Sequence, residues 1–177
     1  MRFFLFFLIF QSLLTAQEEQ RKVDEAHSFI RYEGTHVLHD WEGTNSKIKG
    51  IAVFDTKTKV LSKIALLAKI SDFDSNNSGR DAHSLEVLEA LRFPEIKFYS
   101  DQIRTDSDSL NITGILEFHG VPLSQMIKAS LLKSTDGLEL VGEFELTPTR
   151  YEINLPSFLG VKMKDFLKIE FRIVIEE

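Results

Sequence analysis

The chain has no cysteine among its 177 residues. That excludes disulfide staples and a lipid anchor carried on a cysteine, so the fold must stand on its apolar core and its strand ladder. It has no excess of positive charge: 27 Asp and Glu stand against 21 Lys and Arg, a formal charge of -6. An acidic surface argues against nucleic acid and against anionic membrane surfaces as partners. Catalytic signatures are missing too. No Gly-x-Ser-x-Gly, His-Glu-x-x-His or glycine-rich phosphate loop occurs, and the carboxylates are scattered, so no acid–base pair can be named. The chain also lacks repeats, low-complexity tracts and any linker that would divide it. What is left is one domain with a sizeable core and no positive support for an enzyme or a cofactor.

The one long apolar run is at the start. Arg2 precedes Phe3 to Phe10, and Leu13-Leu14-Thr15-Ala16 gives way sharply to Gln17-Glu18-Glu19-Gln20-Arg21-Lys22. This is the outline of a secretory signal peptide over 1–16, with export to the periplasm or the exterior as its consequence. The run is short for a membrane span, so no stable membrane anchor is expected. Losing it removes Arg2 and no acid, so the charge of -6 becomes -7. A flexible polar leader is expected over 17–26 and the folded domain over 27–177.

Within the domain the main signal is alternation. His27 to Glu33 reads as a first strand ended by Gly34. Lys47 to Phe54 places Ile48, Gly50, Ala52 and Phe54 on one face. Val60 to Ile70 is a longer strand with Ile64, Leu66, Ala68 and Ile70 apolar. Leu110, Ile112, Gly114, Leu116 and Phe118 share a face, as do Leu138, Leu140, Gly142, Phe144 and Leu146, and Leu167, Ile169, Phe171, Ile173 and Ile175. Pro122 to Leu132 is a less regular strand, and Thr147 to Lys164 is mostly loop. About eight strands with one apolar face each need a common interior. A sheet curled into an antiparallel barrel supplies it and removes the edges; a two-sheet sandwich has the same periodicity.

One helix interrupts this all-β pattern. Asp74 to Gly79 is rich in turn residues, and Ser78-Gly79-Arg80-Asp81 fits a capping box with Ser78 as N-cap. A short helix is predicted from Arg80 to about Leu91, with Leu85, Leu88 and Leu91 on one face and Phe93-Pro94 as its stop. Ile96, Phe98 and Ser100 then alternate as a strand.

The same stretch carries a family resemblance. Asp81-Ala82-His83, then Phe93-Pro94-x-Ile96-x-Phe98-x-Ser100, then Gly114-x-Leu116-x-x-x-Gly120-Val121 follow one another in an order and spacing that resembles the YceI-like family. The resemblance extends over about Ser28 to Glu176. It departs in the His36-x-x-His39-Asp40-Trp41-Glu42-Gly43 stretch and at Pro156 and Phe158, which marks a divergent branch. It implies a lipocalin-like barrel, secreted, binding an isoprenoid or similar amphiphile for transport or storage. It also allows a homodimer, although no residue pattern marks an interface.

On that resemblance the barrel interior is the candidate ligand site: Gly50, Ala52, Phe54, Ile112, Gly114, Leu116, Phe118, Leu140, Gly142, Phe144, Ile169 and Phe171. Small residues such as Gly114 and Gly142 either leave volume for a ligand or mark a bulge where the sheet bends. Trp41, Asp81 and His83 are the candidate mouth. The competing reading is a metal-dependent enzyme using His36, His39, Asp40 and His83, with His119 in reserve; on a strand, His36 and His39 would face opposite ways, and only a turn would let them converge. A third is a ligand-free, stress-related scaffold filled by its own side chains.

Overall fold

Alternating apolar and polar residues build most of the chain into strands. The computed structural model describes residues 18–35, 40–106, 109–134, 137–158 and 160–176. The expected signal segment (1–16), His36 and His39 lie outside the described residues. The elements run β1 (Glu18–Lys22), β2 (Phe29–Thr35), β3 (Asp40–Asn45), β4 (Lys49–Asp55), β5 (Leu61–Lys69), α1 (Ser78–Val87), β6 (Glu95–Asp106), β7 (Ser109–Phe118), β8 (Val121–Ser134), β9 (Gly137–Leu146), β10 (Ser157–Phe158), β11 (Val161–Lys162) and β12 (Leu167–Ile175).

One antiparallel sheet of ten strands holds all but β10 and β11, in the order β1-β4-β5-β6-β7-β8-β9-β12-β2-β3. The expected barrel class holds, with ten strands rather than eight. The sheet curls until its ends meet, and short patches join them. Past β1, Asp24 and Glu176 exchange bonds with Val174 and Lys22 across β12 (both 2.9 Å). Past β5, Thr44 and Asp74 exchange backbone bonds. The buried Asn45 amide donates to the Lys69 carbonyl at 3.0 Å, while its oxygen accepts from Lys47 N–H at 2.8 Å. Pairing the ends in this way satisfies edge groups that would otherwise stay open.

The additional strands are the ones that apolar periodicity does not mark. The leader expected to be loose contains β1, which pairs with β4 from Glu18↔Asp55 to Lys22↔Ile51. Neither face of β1 is apolar; charge contacts hold it. Glu19 bonds Arg21 (2.8 Å) and Lys59 (3.2 Å), Glu18 bonds Lys63 (2.8 Å), and the Arg21 guanidinium lies 5.0 Å from the Phe54 ring centroid. The hydrogen bonds from Arg21 and then Lys59 hold the Glu19 carboxyl below its ordinary range. β3 offers only Trp41 as a large apolar side chain, and its pairing with β2 carries it into the sheet.

The helix starts earlier and ends earlier than expected. Asn77, not Ser78, is the N-cap, its side chain accepting from Arg80 N–H at 3.0 Å. Asp81 does not reach back to the cap; it accepts from the Ser75 hydroxyl (2.6 Å) and the Ser75 N–H (3.1 Å) and so ties the preceding loop to the first turn. α1 ends at Val87, and Glu89 adopts a left-handed conformation (φ 45°) that turns the chain away. Leu91 therefore leaves the apolar face and is fully exposed.

β5, β7, β9 and β12 share one end of the barrel, where β5, β7 and β9 finish and β12 begins. α1 and the segment 147–166 are inserted at this end. His119 ties the β7–β8 turn to the second of these, while its buried Nε2 has no hydrogen-bond partner among the described residues. It sits in the β7–β8 turn with φ 51°, its Nδ1–H donates to the Tyr151 carbonyl (2.9 Å), and its Nε2 lies 3.6 Å from Glu89. Thr149 also bonds Asp165 through its hydroxyl and its N–H, which draws in the start of β12.

Candidate ligand cavity

The barrel interior is divided. At the end away from α1 its own side chains fill it: Ala52, Phe54, Leu61, Leu110, Ala129 and Ile175 are all buried, and none of them lines open space. At the α1 end the interior is hollow, with a cavity of about 240 Å³. Its floor is Ile64, Ile112, Ile127, Leu140 and Ile173. Its walls come from alternate residues of the strands: Leu66 and Ala68 of β5, Ile96 and Phe98 of β6, Leu116 and Phe118 of β7, Phe144 of β9, and Ile169 and Phe171 of β12. Leu85, Val87 and Leu88 roof it from the helix, and Ile153, Leu155 and Met163 from the 147–166 segment.

Among the described residues, polar groups reach the cavity only at its helix end: Tyr32, Trp41, Ser71, Asp81, His83 and Ser84. Tyr32 packs its ring 5.7 Å from that of Phe73, and its phenol lies beside Ser84. Burial, then the Asp81 carboxylate, raise the Tyr32 phenol above its ordinary value, against the opposing Ser84 hydroxyl and Arg80 charge. The phenol therefore stays a neutral donor. His83 is exposed and lies 3.8 Å from Glu86 on its own helix.

Ten of the candidate residues thus lie on one cavity: Ile112, Leu116, Phe118, Leu140, Phe144, Ile169 and Phe171 on its wall or floor, and Trp41, Asp81 and His83 at its mouth. Gly50, Ala52, Phe54, Gly114 and Gly142 are not on it. Ala52 and Phe54 belong to the filled end. The glycines leave no volume, because side chains and backbone carbonyls of the neighbouring strands occupy it. A Cβ on Gly114 would come within 2.5 Å of the Phe98 ring, on Gly142 within 2.8 Å of Phe171, and on Gly50 within 2.7 Å of Leu66. Gly142 and Phe171 are direct cross-strand partners. The same pairing recurs at the mouth, where Gly34 lies under Trp41 and Gly43 under Tyr32. Glycine under a cross-strand aromatic ring lets the ring lie flat along the sheet.

Several lining residues were not singled out from the sequence. Ile64, Leu66 and Ala68 show the right alternation but sit in a strand with no family motif. Tyr32 and Phe73 flank motifs without belonging to one. Among the described residues no three His, Asp or Glu side chains converge as metal ligands.

These features define a class: an antiparallel, lipocalin-like barrel, filled at one end and hollow at the other, with an apolar cavity under a helix. The chain belongs to the YceI-like family, whose domain model matches residues 22–175. Its curated relatives include the protein YceI of Salmonella newport (strain SL254), 28% identical over 159 residues, spanning 82% of this chain and 81% of that one. Another is a UPF0312 protein of Enterobacter sp. (strain 638), 28% identical over 152 residues, spanning 78% and 77%. Among solved structures, Burkholderia cenocepacia BcnA superposes with a TM-score of 0.77 at 16% identity, covering 88% of this chain and 99% of its own. A polyisoprenoid binding domain from Saccharophagus degradans superposes with a TM-score of 0.69 at 10% identity, covering 88% and 97%. At such identities these structures establish the shared fold.

Proposed function

We propose that the protein is an exported binding protein that holds the hydrocarbon tail of an isoprenoid or similar amphiphile in the barrel, for transport or storage. The observation that carries this reading is the cavity itself: about 240 Å³ of space, apolar on floor and walls and polar only at the mouth. Apolar cavities of roughly 150 Å³ already take a benzene-sized guest. Each buried CH₂ contributes roughly 0.8 kcal/mol, so one five-carbon unit contributes about 3–4 kcal/mol gross. The polyisoprenoid-binding description of the Saccharophagus domain supports the same ligand class. Binding then needs no covalent step, and no catalytic role is assigned to any residue. The apolar run at 1–16 supports export to the periplasm or the exterior.

Native mass spectrometry of the secreted protein, followed by solvent extraction, tests the proposal. A stoichiometric hydrophobic species of one mass supports it, and the same spectrum reads the oligomeric state. A protein that is empty, and that leaves Trp41 emission unchanged when titrated with polyprenols and quinones, overturns it in favour of a scaffold. One bound zinc or iron in place of lipid would favour the histidine-based enzyme.

A further inference from the structure

The cavity mouth is not electrically neutral. Among the described residues, Asp81 and His83 are the only ones of the cavity lining with a charge to offer. His83 is exposed and turned toward Glu86. Asp81 has one oxygen, Oδ1, committed to Ser75, and its Oδ2 accepts no hydrogen bond from a described residue. Among the described residues no Lys or Arg lines the cavity. Lys47 pairs with Asp72 (3.3 Å), and Lys164 is exposed, its backbone N–H donating to the Thr35 carbonyl. Arg80 precedes Asp81 on the helix, and its charge reaches the Tyr32 phenol less strongly than that of Asp81.

Resting on the cavity reading above, we infer that Asp81, with Tyr32 and Ser84, forms a head-group subsite that sorts amphiphiles by charge. It accepts a protonated amine or a neutral hydroxyl and repels a phosphate. The tail sets whether a molecule enters, since nothing on floor or walls distinguishes one hydrocarbon from another. The polar end then meets a free carboxylate oxygen next to a phenol that remains protonated. A donor head satisfies that oxygen. A phosphate would bring a like charge to a half-buried carboxylate with no guanidinium or ammonium on the wall to offset it.

The test uses one tail with three heads: farnesylamine, farnesol and farnesyl phosphate, titrated into the full-length mature protein at neutral pH and low salt. Trp41, the single tryptophan, lines the mouth and reports occupancy by its emission. The expected order of affinity is amine, alcohol, phosphate, with phosphate at least about tenfold weaker than alcohol. Asp81→Asn keeps an acceptor for Ser75 and should bring phosphate and alcohol together. Added salt should narrow the same gap in the unmodified protein, which needs no variant. Phosphate binding as tightly as alcohol, or a gap that neither Asp81→Asn nor salt narrows, overturns the inference and leaves the cavity reading intact. Failure of all three ligands to bind overturns both.

Discussion

Gly34 and Trp41 show how much one missing methyl group decides. They are opposed across β2 and β3, and a Cβ on Gly34 would lie 2.7 Å from the indole. Gly34→Ala should push Trp41 off the strand, shift its emission to the red, and lower stability by about 1–3 kcal/mol in urea unfolding. Tyr32 carries a pH dependence of definite sign. Its folded-state value is raised, first by burial and next by Asp81, so the neutral phenol is the stabilised form. That stability is fully present below the unfolded value near 10 and is lost as pH rises through the higher folded value. Urea midpoints measured across the alkaline range should fall, and fall less in Tyr32→Phe. Part of the decline will remain, because burial raises Tyr151 in the same direction.

At the scale of the element, α1 stands apart from the strands. None of its residues is fully buried, although Leu85, Val87 and Leu88 roof the cavity. A helix with so little buried surface opens more readily than the sheet beneath it. Amide exchange should therefore run fastest in α1 and slowest in β7 and β12. Asn77→Ala removes the cap bond to Arg80 N–H, costs about 1 kcal/mol and should accelerate exchange across α1 while leaving β7 unchanged. Such a helix suits a roof that must admit a ligand. β1 makes the contrasting point: it is a strand without an apolar face, joined to β4 by its backbone ladder and by Arg21 over Phe54, and to β5 by the Glu18–Lys63 pair.

The molecule as a whole is a barrel half filled and half empty, and its stability and its binding are lodged in different halves. Ile112 lies on the boundary between them, buried and on the cavity floor. Ile112→Phe would project into the hollow half. Ligand uptake should drop by about tenfold or more, while unfolding shifts by no more than about 1–3 kcal/mol, the usual range for an enlarged core side chain. Loss of binding without loss of fold, read by Trp41 titration and urea unfolding on the same sample, would locate the ligand in this half.

The period-2 runs at Leu110–Phe118, Leu138–Leu146 and Leu167–Ile175 were legible because a strand with one wet face writes its orientation directly into the sequence. The motifs at Asp81-Ala82-His83 and Phe93 to Ser100 placed the helix and the family, and with them the mouth of the cavity. Other features depend on partners far along the chain. β1 and β3 became strands because β4 and β2 offered backbone edges, which no local periodicity records. The choice between a curled sheet and a sandwich rested on Val23 meeting Ile175 and on Thr44 meeting Asp74. The glycines were ambiguous alone, since the space beside each is claimed by side chains and carbonyls of neighbouring strands. Sequence by itself therefore determined which residues face inward. Only the tertiary structure decided which of those fill the barrel and which line its cavity, because open volume belongs to the packing of the side chains that surround it and to no single residue.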